Sequence, residues 1–333
     1  MKNIFVLGGT GFVGSHVCEK LVRAGWHVTV PTRRRINAKG IMHLPGLTVL
    51  EMNVHDEQAL ARELAGHEAV VNLVAILHGN EAAFDKTHVA LTAKLARASA
   101  SAGINQLVHI SALGADEKHP DAPPSRYLRS KSRGEALLLR PAGAPWPFDV
   151  TVLRPSVIFG AQDKFLNLFA KLQRIFPLMP LAGANAKFQP VWVQDVANAV
   201  VHSLRYSGSH QPANVAAAHI FELCGPEVFT LAQLVHNAGV WAGVNEGRGR
   251  PVLPLPDWAG RVQALAMECA PGAPLMSRDN LDSMKTANIA TGTHLGLAAL
   301  GIHAAALEPI ARAYLNKGTL TQGMLETRQH HGS

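Results

Sequence analysis

The sequence predicts an α/β protein: a doubly wound parallel sheet with a smaller C-terminal lobe. Short apolar runs alternate with amphipathic stretches through the first half of the chain, the order expected of strand–helix–strand units. The opening run, Asn3-Ile-Phe-Val-Leu7, is apolar after its first residue, as a strand covered on both faces must be. It leads directly into a glycine-rich turn and then a helical pattern.

The elements follow in order. A helix from about Ser15 to Ala24 carries Val13, Val17 and Leu21 on one face and stops at Gly25. His27–Val30 and Leu47–Met52 read as the second and third strands, Glu57–Leu64 as a helix and Ala69–Leu77 as a fourth, buried strand. A long alanine-rich helix spans about Glu81 to Ala102 and closes at Gly103; Gln106–Ser111 is strand five. Ser125 is placed to cap a helix that carries Tyr127 and Lys131 and that Pro141, Pro145 and Pro147 end. Val150–Val157 is strand six. Past Gly160 the alternation stops. Phe165–Ile175 reads as a helix, Pro177–Gly183 as a loop and Pro190–Val193 as a short strand. Asp195 caps a helix that runs to Tyr206, and Ile220–Cys224 is a late strand of the main sheet. Prolines at 251, 254, 256, 271 and 274 leave the remainder unassigned. A large domain over 1–160 and 190–225 and a lobe over 161–189 and 226–333 account for the length of 333 residues.

Composition narrows the function. No apolar run is long enough to cross a bilayer, and Ile4–Leu7 is too short for a signal-peptide core, so the chain reads as cytoplasmic. Cys18, Cys224 and Cys269 are too widely spaced for a metal or redox pair and odd in number. The 17 histidines include no metal-binding spacing, His330 and His331 falling in a polar tail, and no metal is expected. A net charge of +7 attracts phosphates of any kind without choosing among nucleotides, nucleic acids and lipid heads. Without zinc-finger spacing or interleaved aromatic and basic residues, nucleic acid is not an expected partner.

Gly8-Gly9-Thr10-Gly11-Phe12-Val13-Gly14 sits between the first strand and the first helix. In a Rossmann-type fold Gly8 permits the tight turn, Gly11 lets the backbone approach a pyrophosphate and Gly14 lets helix and sheet pack closely. The helix N-terminus then offers free N–H donors. Ser15-His16 after Gly14 supplies no lysine for a nucleoside triphosphate loop. An NAD-preferring site ends its second strand in an acid that binds the ribose 2′-hydroxyl. Here Val30-Pro31-Thr32-Arg33-Arg34-Arg35 puts Thr32 in that place and three arginines after it, which favours NADP(H) over the alternative NAD(H); a solvated basic loop and a nucleic-acid patch are the other readings of the arginines.

Of the three tyrosines, Tyr127 alone has a lysine four residues on, Lys131. On a helix that spacing sets the ammonium beside the phenol, where it favours phenolate. Tyr127 then suits a proton donor or acceptor for a carbonyl or alcohol next to a nicotinamide.

These motifs, with Val71-Asn-Leu-Val-Ala75, Leu153-Arg-Pro-Ser-Val-Ile-Phe-Gly160 and Val193-Gln-Asp195-Val-Ala, resemble the extended or atypical short-chain dehydrogenases/reductases of epimerase/dehydratase type. The branch most similar contains the NAD(P)-binding accessory subunit of the alpha subcomplex of respiratory complex I and its bacterial relatives. Asn72-Leu-Val-Ala-Ile-Leu77, Ile110-Ser-Ala-Leu-Gly-Ala-Asp116, Arg154–Asp163 and Phe165-Leu-Asn167 carry that likeness. It covers residues 1 to about 205 and thins beyond. The resemblance implies Thr10, Phe12 and Val13 at the pyrophosphate, Asn53 and Val54 at the adenine, and Leu73, Val74 and Ala75 along the cofactor cleft. It also implies Lys131 at the nicotinamide ribose and Pro155, Ser156 and Val157 at the carboxamide. Family enzymes place a serine or threonine at the end of strand five; here that place holds about Leu113, with Ser111 two residues early on the same strand face.

Two readings follow. One is an NADP(H)-binding protein of the complex I accessory type, associated with a respiratory complex or the inner membrane face, with the cofactor as a folding ligand. The other is an active NADPH-dependent reductase, epimerase or dehydratase of a small carbonyl or sugar-type substrate, with Tyr127 as acid/base, Lys131 as its tuner and Ser111 as helper. In the C-terminal lobe, Trp241, Trp258, Leu265 and Met267 form either a lipid- or quinone-facing surface or a core.

Overall fold

The computed structural model describes residues 2–139, 145–206, 218–269 and 276–316. Pro141, Pro271, Pro274, His330 and His331 lie outside the described residues. In chain order the main elements are β1 (Lys2–Leu7), α1 (Phe12–Arg23), β2 (Trp26–Thr32), β3 (Leu47–Glu51), α2 (Glu57–Leu64) and β4 (Ala69–Asn72). Then come α3 (Glu81–Phe84), α4 (Leu91–Ala102), β5 (Gln106–Ile110), α5 (Arg126–Leu139), β6 (Asp149–Pro155), α6 (Leu166–Ile175), α7 (Val193–Tyr206) and β7 (Ala218–Leu223). The chain continues through α8 (Leu231–Trp241), α9 (Asp257–Cys269), α10 (Arg278–Ser283), β8 (Leu295–Gly296) and α11 (Leu307–Leu315).

Two compact units emerge, the first comprising the described residues of Met1–Ser156, Val193–Cys224 and Ala290–Ala304. Its eight strands lie in the order β8-β7-β6-β5-β4-β1-β2-β3, and every neighbouring pair is parallel. Side chains alternate across a strand. Phe5 and Leu7 of β1 therefore join Leu60, Leu64, Leu91 and Leu95 of the helices on one face, while Ile4 and Val6 are buried on the other. Local chemistry ends and starts the helices. Asp56 Oδ1 accepts from the Ala59 amide at the head of α2, and Ser125 Oγ accepts from the Leu128 amide at the head of α5, as its position predicts.

The structure corrects several expectations. Helix α1 begins at Phe12, and α7 begins at Val193, so Asp195 lies in its first turn instead of capping it. Strand β4 stops at Asn72, because Asn72 turns its side chain back to accept from the Val74 amide at 3.2 Å, so Leu73–Leu77 is loop. The alanine-rich helix is interrupted by a π turn over Asp85–Ala90. Residues 290–304, expected in the smaller lobe, return to the first unit and supply β8.

The second unit holds the described residues of Val157–Trp192, Gly225–Ile289 and Ala305–Ser333. Helices α6, α8 and α11 bury Leu166, Ala170, Leu234, Trp241, Leu307 and Leu315 in its core. The buried Asp163 carboxylate accepts from the amides of Phe165 and Leu166 at 2.8 and 2.7 Å, from Gly160 at 3.1 Å and from the Tyr314 hydroxyl at 2.7 Å. It thereby caps α6 and ties α11 to it. The expected loop at Pro177–Gly183 contains a strand, Met179–Leu181, paired with Val252–Pro254. Trp241 is core, whereas Trp258 and Leu265 are exposed and Met267 is half-buried. Among the described residues no helix is long and apolar enough to cross a membrane.

Candidate functional site

A parallel sheet places all its carboxyl ends at one edge. Here the chain leaves β1 and β4 in opposite directions across the sheet, so a crevice opens between them, the place where doubly wound folds bind ligands. The glycine turn follows β1 at that point. Gly8 takes φ +80°, which favours glycine, and a Cβ there would stand 3.0 Å from the Leu73 carbonyl carbon at the exit of β4. A Cβ on Gly14 would lie 2.1 Å from the Gly8 carbonyl oxygen, so no larger residue fits. Gly11 is the N-cap of α1 and has no side chain to satisfy the first-turn amides. Thr10, Phe12 and Val13 are half-buried around them.

At the end of β2, Thr32 is buried, and its hydroxyl donates to the Arg34 carbonyl at 3.1 Å. The small side chain closes the loop and places no carboxylate there. Arg33, Arg34 and Arg35 are all exposed; among the described residues none of the three guanidinium groups enters an ion pair. Beyond β3, Asn53 Oδ1 accepts from the His55 amide at 3.1 Å, and Val54 is half-buried against the core. His55 is pushed below its ordinary pKa by burial first and then by Lys86, Lys94 and Arg33. Lys86 and Lys94, which the sequence reading passed over, thus bring further positive charge to this edge; Lys94 Nζ also donates to the His55 carbonyl at 2.7 Å.

Along β4's exit, Leu73 and Val74 are half-buried and Ala75 is exposed. Pro155 and Ser156 are buried at the end of β6, where the Pro155 carbonyl accepts from the Leu113 amide at 3.0 Å; Val157 is the first residue of the second unit.

Helix α5 carries Tyr127, Lys131 and Glu135 at i, i+4 and i+8, on one face. The half-buried Tyr127 ring meets His88 edge-on with centroids 5.7 Å apart. Burial pushes its phenol up to about 12, the reverse of the lowering that the Tyr–Lys spacing suggests. The reason lies in where the ammonium goes: Lys131 is almost wholly buried and donates to the Ile110 carbonyl at 2.8 Å. Burial pushes Lys131 down to about 8, with the Glu135 charge opposing.

Two buried histidines stand behind this pair. His88 Nε2 accepts from the Ile76 amide at 3.1 Å, so Nδ1 carries the proton and donates to Ser130 Oγ at 2.7 Å. Ser130 Oγ in turn donates to the Tyr127 carbonyl at 2.7 Å. Burial, then Lys131, pushes His88 down to about 3. The Asn72 amide nitrogen donates to His109 Nδ1 at 3.2 Å, which leaves the proton on Nε2, an atom with no hydrogen-bond partner among the described residues.

Ser111 is enclosed. Burial pushes the Glu135 carboxyl up, against the pull of Arg154 and then of the Ser111 hydroxyl, which has no partner in hydrogen-bonding geometry among the described residues and almost no exposed surface. Ser111 lies enclosed beside an internal network, and Leu113 is buried as well. That network centres on Arg154, whose guanidinium holds both Glu135 oxygens, donates to Glu117 at 2.6 Å and donates to His294 Nε2 at 3.2 Å. Glu117, Glu135 and His294 escaped the sequence reading because three separate segments bring them together. The one local signal was Glu135, four residues beyond Lys131.

Comparison with known proteins gives a consistent picture. The model of the NAD dependent epimerase/dehydratase family matches residues 4–216. The chain is 30% identical over 236 residues to NADH dehydrogenase (ubiquinone) 1 alpha subcomplex subunit 9, mitochondrial, of Arabidopsis thaliana, across 69% of this chain and 55% of that protein. It therefore spans little more than half the length of that relative. To the Mus musculus protein of the same name it is 29% identical over 316 residues, 91% of this chain and 77% of that one. Among solved structures, the Escherichia coli NADPH-dependent quinone oxidoreductase QOR2 in complex with NADPH superposes with a TM-score of 0.72 at 19% identity, over 94% of this chain and all of that one. That likeness is one of fold.

Proposed function

Because this chain belongs to the NAD dependent epimerase/dehydratase family, a nicotinamide dinucleotide-dependent group, we propose that it binds NADP(H) at the β1–β4 crevice as an accessory subunit of a respiratory, complex I-like assembly. The observation that carries the cofactor choice is the end of β2, where a buried Thr32 is followed by three exposed arginines that form no ion pair among the described residues. Guanidinium groups recognise phosphate through paired, charge-assisted hydrogen bonds. The residues fit the group. Gly8 and Gly14 pack against backbone more closely than a Cβ permits, Gly11 leaves the first-turn amides of α1 without a side-chain cap, and the amides around Thr10, Phe12 and Val13 hold the pyrophosphate. Arg33 and Arg34 hold the 2′-phosphate, for which the small, buried Thr32 leaves room; Asn53 and Val54 flank the adenine; Leu73, Val74 and Ala75 line the cleft. Lys131 binds the nicotinamide ribose, and Pro155, Ser156 and Val157 meet the carboxamide. When bound, the nicotinamide supplies a hydride donor or acceptor.

The accessory role draws on the relatives' names and on the closed Ser111 hydroxyl. A second reading, an active reductase, epimerase or dehydratase of a small carbonyl or sugar-type substrate, draws on Tyr127 and the buried Lys131 sharing one helix face. One experiment addresses both. The purified protein is denatured and its released nucleotide identified, and then wild type, Arg33→Ala and Tyr127→Phe are compared for cofactor affinity and carbonyl-reductase turnover. NADP(H) is the expected nucleotide. Arg33→Ala weakens NADPH by ~1.5–3 kcal/mol, the scale of a hydrogen bond to a charged group, and leaves NADH nearly unchanged. Equal losses for both cofactors defeat the assignment. Turnover that disappears in Tyr127→Phe establishes the second reading.

A further inference from the structure

We propose that Glu135 is a positioning residue for Lys131, its clamped carboxylate serving as the counter-charge that keeps the buried ammonium ionised one helical turn from Tyr127. The inference rests on the reading of Lys131 as the group that binds the nicotinamide ribose.

A buried cation without a counter-charge sheds its proton. Lys131 and Glu135 are 1% and 0% exposed, and one helical turn sets them on the same face of α5. The titratable groups coupled to Lys131 are His88 from the π turn, His109 from β5 and Glu135 from its own helix, with Tyr127 one turn before it on that helix. Both histidines are neutral, each with one ring nitrogen acting as an acceptor. The Tyr127 phenol keeps its proton. Burial pushes the Glu135 carboxyl up and the Arg154 guanidinium opposes it, so the carboxyl that Arg154 clamps is the group left to act on the lysine.

The carboxylate does not exhaust its charge on Arg154. That guanidinium is shared between Glu135 and Glu117, both with nearly buried side chains. Two carboxyl groups share one guanidinium, and Lys131, one turn before Glu135 on α5, is the next buried cationic group on that helix face. Arg154 Nε contacts both Glu135 oxygens at 3.1 Å, so the carboxylate is held in place and cannot rotate away from the helix face it shares with the lysine. The balance explains why a lysine enclosed this completely is pushed down only to about 8.

The test is direct. In the full-length protein with 15N-labelled lysine side chains, the Lys131 resonance is assigned through its loss in Lys131→Arg and then titrated. Glu135→Gln lowers the proton affinity of Lys131 by about tenfold or more, whereas Glu135→Asp, which keeps the charge, stays within about threefold of wild type. An unmoved Lys131 titration in Glu135→Gln overturns the proposal, and so does an equal fall in both variants, since packing alone then accounts for it. Should Glu135→Gln fail to fold, Lys131→Met reads the same coupling from the other side. By reciprocity the Glu135 carboxyl, followed by 13C resonance, titrates at higher pH when the ammonium is gone, and an unchanged carboxyl titration overturns the proposal. Calorimetry with NADPH across the same pH range keeps the two ideas apart. A wild type that never binds NADPH ends the cofactor reading and leaves the lysine titration standing. One that binds NADPH while Lys131 ignores Glu135 ends this inference alone.

Discussion

His88 commits both ring nitrogens, one to the Ile76 amide and one to Ser130, while it supports the edge of the Tyr127 ring. Its pKa of about 3 in the folded chain, against 6.5 ordinarily, has a consequence for stability. Between those values the unfolded chain takes up a proton that the folded ring refuses. The contribution is therefore complete above pH 6.5 and is lost as the pH falls toward 3. For this residue the loss between pH 7 and 4 is about 3 kcal/mol, and His109 acts in the same direction. Urea unfolding at the two pH values measures it. His88→Gln, which keeps an acceptor and a donor, should lose correspondingly less stability over that interval; equal losses in both proteins refute the assignment. Residues of this kind were illegible in the sequence. Gly8, Gly11 and Gly14, or Tyr127 and Lys131, announce themselves because their partners lie within one turn or helix face. His88, His109, Glu117 and Arg154 act through partners on other elements, and no local spacing marks them.

Most elements could be read from the chain because local periodicity and local caps set them. Glu57–Leu64 was legible as a helix from its apolar spacing, and Ser125 as the cap of α5 from its place before Tyr127. The π turn at Asp85–Ala90 was not, because an alanine-rich run suits any helical form and a close contact at this turn comes from another helix. Gly134 of α5 is that contact: a Cβ there would stand 2.5 Å from the His88 carbonyl oxygen, which is fixed backbone and already accepts from Thr92. Gly134→Ala should therefore cost about 1–3 kcal/mol, the usual range for forcing an atom into a packed interior. Gly40→Ala, where nothing lies within 4 Å of the added carbon, serves as the control and should stay near wild type in denaturant unfolding. If the two variants behave alike, α5 does not seat on the π turn through this glycine. Strand β8 was missed for a related reason. It is two residues long, and its place is set by pairing with β7 and by Thr291 binding the Glu222 carboxylate, none of which leaves a periodic trace.

At the scale of the molecule, the strand order fixes where a ligand acts, and mass action converts that placement into stability. Anything that binds the folded chain alone stabilises it by RT ln(1 + [L]/Kd), about 2.7 kcal/mol at one hundred times Kd. NADPH should raise the melting temperature steadily with the logarithm of its concentration, and NADH at the same concentration should raise it less. On the proposed reading the difference between the two comes from the exposed Arg33–Arg35 cluster and the net charge of +7, so salt should narrow it. The Debye length falls from about 10 Å at 0.1 M to about 3 Å at 1 M, which screens solvent-exposed charges from an incoming phosphate. The backbone amides of the glycine turn are common to both cofactors and leave the NADH shift comparatively insensitive to Arg33→Ala. Scanning calorimetry of wild type and Arg33→Ala with each cofactor, at low and high salt, resolves these terms. An NADPH advantage that survives in Arg33→Ala at low salt would place the discriminating charge elsewhere on the sheet edge, with Lys86 and Lys94 beside His55 the first residues to substitute.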